Sequence, residues 1–222
     1  MMLSEKLTQQ SSSRWMLLVL AVGLAVAMAL SMATAGDAHA KKKKKKGTKT
    51  VTQTFSGGGL TFPSVGNANP YPSQTNVNFK KPKGGIQDLN LKLSGFSHTF
   101  EDDVDLMLVA PGGQCVIAMS DAGGNNAANN IEVSLDDEAA NSLPDTTVFG
   151  SGTFKPTNHL LSQGDTFPAP APDPNSCGTS LTVFDGQNPN GAWKLFVTDD
   201  LGGGVGQINN WSLQIQAKVQ KK

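Results

Sequence analysis

Apolar positions along this chain fall into two regimes. Residues 15–32 form one nearly unbroken apolar run, whereas beyond residue 50 apolar residues come in short stretches set between Gly, Pro, Asn and Asp clusters. Such stretches, alternating or continuous and bounded by turn residues, predict strands, and nothing after the first forty residues repeats at helical spacing. The best of them are 51–55, 86–93, 104–110, 115–119, 131–135, 193–198 and 211–215. Residues 86–93 alternate, so one face of that strand should pack inward and the other meet solvent, as in an antiparallel two-layer structure. Residues 106–109 supply a facing layer. The expectation is an all-β fold, a β-sandwich of jelly-roll type, with Trp193 and Trp211 as core anchors. Two segments resist assignment and are read as irregular loops: 57–83, and 158–178 with its Pro168, Pro170, Pro172 and Pro174.

The first apolar run reads as an address label. A weakly basic start (Lys6, Arg14) precedes it, and small residues ending in Ala38-His39-Ala40 follow it, which is an A-x-A cleavage pattern. Cleavage after Ala40 would make Lys41 the new N-terminus and export the rest; left uncleaved, a run of this length would anchor the chain in a membrane. The expected organisation is therefore a signal segment at 1–40, a lysine-rich spacer at 41–50, one domain at 51–217 and a short tail at 218–222.

Charge refines this picture. The net charge of zero hides an acidic body: residues 50–217 hold sixteen acidic residues against six lysines and no arginine. Phosphate contact needs clustered Lys and Arg, so nucleic-acid binding by the body is disfavoured. The six lysines at 41–46 read as a solvated spacer. The two cysteines, Cys115 and Cys177, are expected to be joined, since an even pair in an exported chain favours a disulfide.

Four stretches carry a resemblance. Residues 89–105 lead through His98 to Asp105-Leu106; Ala110-Pro111-Gly112-Gly113 follows; then Leu135-Asp136-Asp137-Glu138-Ala139; and finally 184–193, with Asn190-Gly191-Ala192-Trp193, running on through Asp199 to Gly206 and Trp211. Together, over residues 86–216, these resemble the P domain (P/Homo B domain) of proprotein convertases such as furin and kexin and of bacterial secreted subtilisin-like proteases. The resemblance implies a jelly-roll sandwich of galactose-binding-like type, which in that family follows a subtilisin-like serine protease domain, supports its folding and modulates its calcium and pH response. Here the interval between residues 46 and 86 is too short for a subtilisin fold.

Candidate chemistry is sparse. Gly178-Thr179-Ser180 imitates the start of a subtilisin nucleophile motif, but Leu181-Thr182-Val183 follow it, and neither His98 nor His159 sits in a recognisable base motif. No catalytic residue is assigned, and His98 is expected to be hydrogen-bonded in a turn. Acidic clusters are the one constellation with metal-like chemistry: residues 101–105, residues 136–138 and Asp199-Asp200. Calcium takes six to eight oxygens, and Asp103, Asp105, Asp136 and Asp137 are the expected ligands. A solvated acidic rim that caps turns is the alternative, with the family's calcium association favouring metal. The functions that follow are a non-catalytic accessory or binding module for a separately encoded subtilisin-like protease or another extracellular protein, an unrecognised serine-type hydrolase, or a surface-tethered adhesive protein.

Overall fold

The computed structural model describes residues 46–159 and 165–222; the apolar leader and most of the lysine tract lie outside these. In chain order the strands are β1 (Thr48–Phe62), β2 (Gly66–Asn67), β3 (Ser73–Val77), β4 (Pro82–His98), β5 (Val104–Val109) and β6 (Cys115–Ser120). They continue with β7 (Ala128–Leu135), β8 (Gly152–Phe154), β9 (Thr157–Asn158), β10 (Gly191–Asp199) and β11 (Gly206–Gln220). Among the described residues the only helical pieces are short 3₁₀ turns at Glu101–Asp103, Pro174–Ser176 and Leu181–Phe184.

The strands form two sheets. One is ordered β1-β11-β4-β7-β8, the other β2-β10-β5-β6-β9, with β3 also pairing β10. All pairings are antiparallel except β6 with β9 and β7 with β8. Leu89, Leu91 and Leu93 of β4 and Leu213 and Ile215 of β11 meet Leu106, Leu108, Trp193 and Leu195 of the opposite sheet in one apolar core. The all-β two-layer expectation holds, and both tryptophans are fully buried, their indole N–H groups donating to the Pro189 carbonyl (2.8 Å) and to Ser73 Oγ (2.7 Å). Alternation in β4 is not continuous: Ile86 and Leu89 are both buried because the register with β11 shifts there, and a bulge puts one extra residue into the period.

Several boundaries differ from expectation. Residues 57–83 are not a loop: they contain the end of β1, then β2 and β3. β1 begins at Thr48, inside the segment read as spacer, and Thr48 pairs with Gln220, inside the segment read as tail. The segment 158–178 is largely irregular where described, and it covers a sheet. Phe167 packs with Met107, Val109, Ile117 and Phe196 on the outer face of the second sheet, where Cys115 and Cys177 form a disulfide with Cα atoms 4.7 Å apart. Every residue of β5 and β6 is consequently buried, which is why both read as continuous rather than alternating apolar runs.

Candidate metal centre at the acidic end of the sandwich

Four strand ends meet at one end of the molecule. β4 finishes at His98 and the chain turns through Glu101–Asp103 into β5, while β6 finishes at Ser120 and β10 at Asp199. Antiparallel register sets Asp105 opposite Thr198, Val104 opposite Asp199 and Leu106 opposite Met119. Acids that are remote in sequence but stand at these ends are thereby brought together.

Asp105, Asp121 and Asp165 each aim one carboxylate oxygen at a common point, the three oxygens lying within 4.8 Å of one another. Asp105 is 1% exposed, and its Oδ2 has no hydrogen-bond partner. Ser120 Oγ lies 2.8 Å from Asp121 Oδ2 and 2.7 Å from Asp165 Oδ1, yet a hydroxyl carries a single proton and cannot satisfy both. Asn158 Nδ2 donates to Asp165 Oδ2 at 2.8 Å, which leaves its Oδ1 buried and unpartnered. Burial pushes the Asp105 carboxyl well above the ordinary range, and the neighbouring Asp165, Asp200 and Asp121 add to the effect. Asp165 and Asp200 are raised as well, burial again being the main cause. Among the described residues no lysine lies within ion-pairing distance of this cluster. Either protons or a cation must relieve such crowding, and an all-oxygen donor set suits a hard divalent ion.

Beside this trio lies a second buried group. His98 Nε2 sits 3.1 Å from Asp199 Oδ2, both side chains fully buried, and its Nδ1 meets the Phe100 carbonyl oxygen. The backbone at Gly204 and Gly206 closes over the imidazole so tightly that a Cβ at either position would overlap the ring. Glu101 is also fully buried, with Oε2 accepting from the Phe149 N–H (3.3 Å) and Oε1 unpartnered; burial lifts its pKa to about 7. Burial lifts Asp103 to about 6, with the charges of Asp199 and Asp200 contributing.

Of the four expected metal ligands, only Asp105 belongs to the trio. Asp103 shares the same end but is grouped with His98, Asp199 and Asp200. Asp136 and Asp137 do not join them. β7 lies antiparallel to β4, with Leu135 opposite Leu91 and Ala128 opposite His98, so Asp136 follows the far end of that pairing, beside Asp88. The ten residue steps from Asp88 to His98 span roughly 30 Å of strand. Asp137 there accepts from Ser180 Oγ (2.7 Å), Leu181 N–H (3.1 Å) and Thr182 N–H (2.7 Å), holding the start of the Leu181–Phe184 turn. Ser180 is thus occupied as a cap. The sequence reading missed Asp121 and Asp165; the available signal was an acid directly following the strand that ends at Ser120.

Residues 167–215 match the family model of the proprotein convertase P-domain. That P-domain match spans the covering loop with Phe167 and Cys177, the capped turn, β10 with Asp199, and β11 as far as Ile215. Among solved structures, the serine protease of Aeromonas sobria is 16% identical with a TM-score of 0.37, the alignment covering 80% of this chain and 28% of that one. The complex of that protease with the chaperone ORF2 gives 15%, 0.36, 79% and 28%. This chain therefore spans a little over a quarter of the length of those proteases. No curated protein matches it.

Proposed function

We propose that this chain is an exported, non-catalytic P/Homo B-domain protein, an accessory module that binds and stabilises a separately encoded subtilisin-like serine protease. The P-domain match over residues 167–215 carries this reading. Its setting supports it: the matched segment is part of a complete sandwich whose remaining strands come from the same chain. Ser180, the one residue with a nucleophile-like context, is engaged by Asp137 and Thr182, and His98 is sealed from solvent. Co-expression with a subtilisin-like protease is the test. The protease should co-purify with this chain and lose activity more slowly on heating in its presence, and equal inactivation with and without the chain would rule the role out.

Calcium is the cofactor we propose, held by Asp105, Asp121 and Asp165 with the Asn158 side-chain oxygen as a further donor. The buried, unpartnered Asp105 Oδ2 favours an ion over a solvated rim, because leaving a desolvated acceptor without a partner costs about 1–3 kcal/mol or more. Such an ion would tie the ends of β5 and β6 to the covering segment at Asp165. Export rests on the leader, and N-terminal sequencing of secreted material should begin at Lys41; an intact leader in the membrane fraction would instead make the chain a tethered surface protein.

A further inference from the structure

The end of the sandwich opposite the Asp105, Asp121 and Asp165 trio gathers eight exposed lysines, while Asp88, Asp136, Asp137 and Asp185 cluster at that end beside the Leu181–Phe184 turn, none of them lining the groove between the lysines. Three separate chain segments meet there: Lys46 and Lys49 at the start of β1, Lys80, Lys81 and Lys83 on the way into β4, and Lys218, Lys221 and Lys222 at the end of β11, all exposed. Pairing holds them together. Lys49 lies opposite Val219, Val219 opposite Pro82, the Gln220 N–H donates to the Lys81 carbonyl (3.0 Å) and the Lys221 N–H to the Gly47 carbonyl (2.9 Å). None of these lysines has a carboxylate within 4.0 Å, the His98–Asp199 pair being the only ion pair among the described residues. They border an open groove of about 400 Å³ with Lys49, Lys80, Lys81 and Lys222 on its walls and no acidic residue in its lining.

Like charges gathered this densely and left unpaired raise the local potential and draw in an anion. We propose that this pole binds a flexible, non-aromatic polymer of phosphate groups. The residue chemistry selects that class. Lysine ammonium groups are point charges that follow a moving backbone of anions, whereas the described residues contain no arginine to grip a planar group in bidentate fashion. No exposed aromatic ring stands at this end for bases to stack on, since Phe79 is buried beneath the groove. Val65, Phe100, Val148, Leu201 and Val205 lie elsewhere along the chain, and Val183, in the Leu181–Phe184 turn, is a single exposed apolar side chain outside the groove lining, too little surface for insertion into a bilayer.

The test uses the full exported chain and long-chain inorganic polyphosphate as the probe, read by fluorescence anisotropy across a salt series. Binding should weaken steeply as NaCl rises, because each contact releases counterions. A variant carrying Lys49→Gln, Lys80→Gln, Lys81→Gln and Lys218→Gln should bind on the order of tenfold more weakly or worse. A control with Lys92→Gln, Lys155→Gln and Lys194→Gln should bind like the parent. All substituted residues lie at the surface or on its margin, and an unchanged thermal midpoint would show that both variants fold. Equal losses in the two variants, or no loss in the first, would overturn the proposal. So would tighter binding to phosphatidylserine vesicles or to duplex DNA than to polyphosphate at equal anion concentration, which would assign the pole to a membrane or to nucleic acid.

Discussion

His98 and Asp199 join the two sheets of the sandwich through a fully buried contact, Nε2 to Oδ2 at 3.1 Å, at the point where β4 leaves one sheet and β10 ends in the other. Removing one member of such a pair strands the other in a dry site, which costs about 3–5 kcal/mol. Asp199→Ala is therefore expected to lower stability by roughly 3 kcal/mol, seen as a shifted urea midpoint with an unchanged slope. A midpoint within error of the parent would mean that the pair contributes nothing.

Glu101 sets a pH dependence whose sign follows from its burial. Its folded-state pKa of about 7 lies above the ordinary 4.5, so the folded protein holds a proton that the unfolded chain has released. Stability from this group is fully present below pH 4.5 and is lost as pH rises toward and through 7. Without added metal, the thermal midpoint should fall between pH 5 and pH 8, and Glu101→Gln, which mimics the protonated acid, should flatten that slope. A midpoint that rises over this interval in the parent would contradict the assignment.

Asp137 and Asp105 should separate cleanly. Asp137→Ala removes an acceptor for three donors at the Leu181–Phe184 turn and should cost about 1–2 kcal/mol while leaving any calcium response intact. Asp105→Asn should do the reverse: the protein folds, and the calcium response is lost. Paired melts with and without calcium distinguish the two variants.

The disulfide closes a loop of 62 residues, and on chain-entropy grounds Cys115→Ser with Cys177→Ser should destabilise by about 4 kcal/mol. Thiol titration of the denatured, unreduced protein should find no reactive thiol. Two per chain would show the bond to be absent.

How much of this was legible beforehand depended on where the inward positions were apolar. Leu89, Leu91 and Leu93 announced their strand because each points into the core. Ser73, Thr75 and Val77 point inward just as regularly, but two of those positions are polar and the alternation disappears from the sequence. Their burial is tolerable because Ser73 Oγ donates to the Gly57 carbonyl (3.2 Å) and Thr75 Oγ1 to the Ser56 carbonyl (2.7 Å), partners set only by the fold. The second half of β1 was hidden in turn by Gly57, Gly58 and Gly59, which read as a loop. At Gly57 a side chain would overlap the Trp211 indole, so the glycine serves close packing rather than a turn. Asp136 and Asp137 lie apart from Asp105 for a related reason. Local acid density drew Asp136 and Asp137 into the set, whereas strand register determines which acids meet, and it selects Asp121 and Asp165 from segments that look unremarkable one residue at a time.

The most direct test of the account is a thermal melt of the whole chain in EDTA, in magnesium and in calcium, with Asp105→Asn beside the parent. If calcium binds only the folded state, stability grows as RT ln(1 + [L]/Kd), about 2.7 kcal/mol at a hundredfold excess over Kd, and an extracellular site of this kind should respond between roughly 0.1 and 1 mM. The account predicts a midpoint that climbs by several degrees with calcium in the parent, climbs less with magnesium and does not move in Asp105→Asn. A midpoint indifferent to calcium in the parent, or a calcium shift that survives both Asp105→Asn and Asp121→Asn, would contradict it.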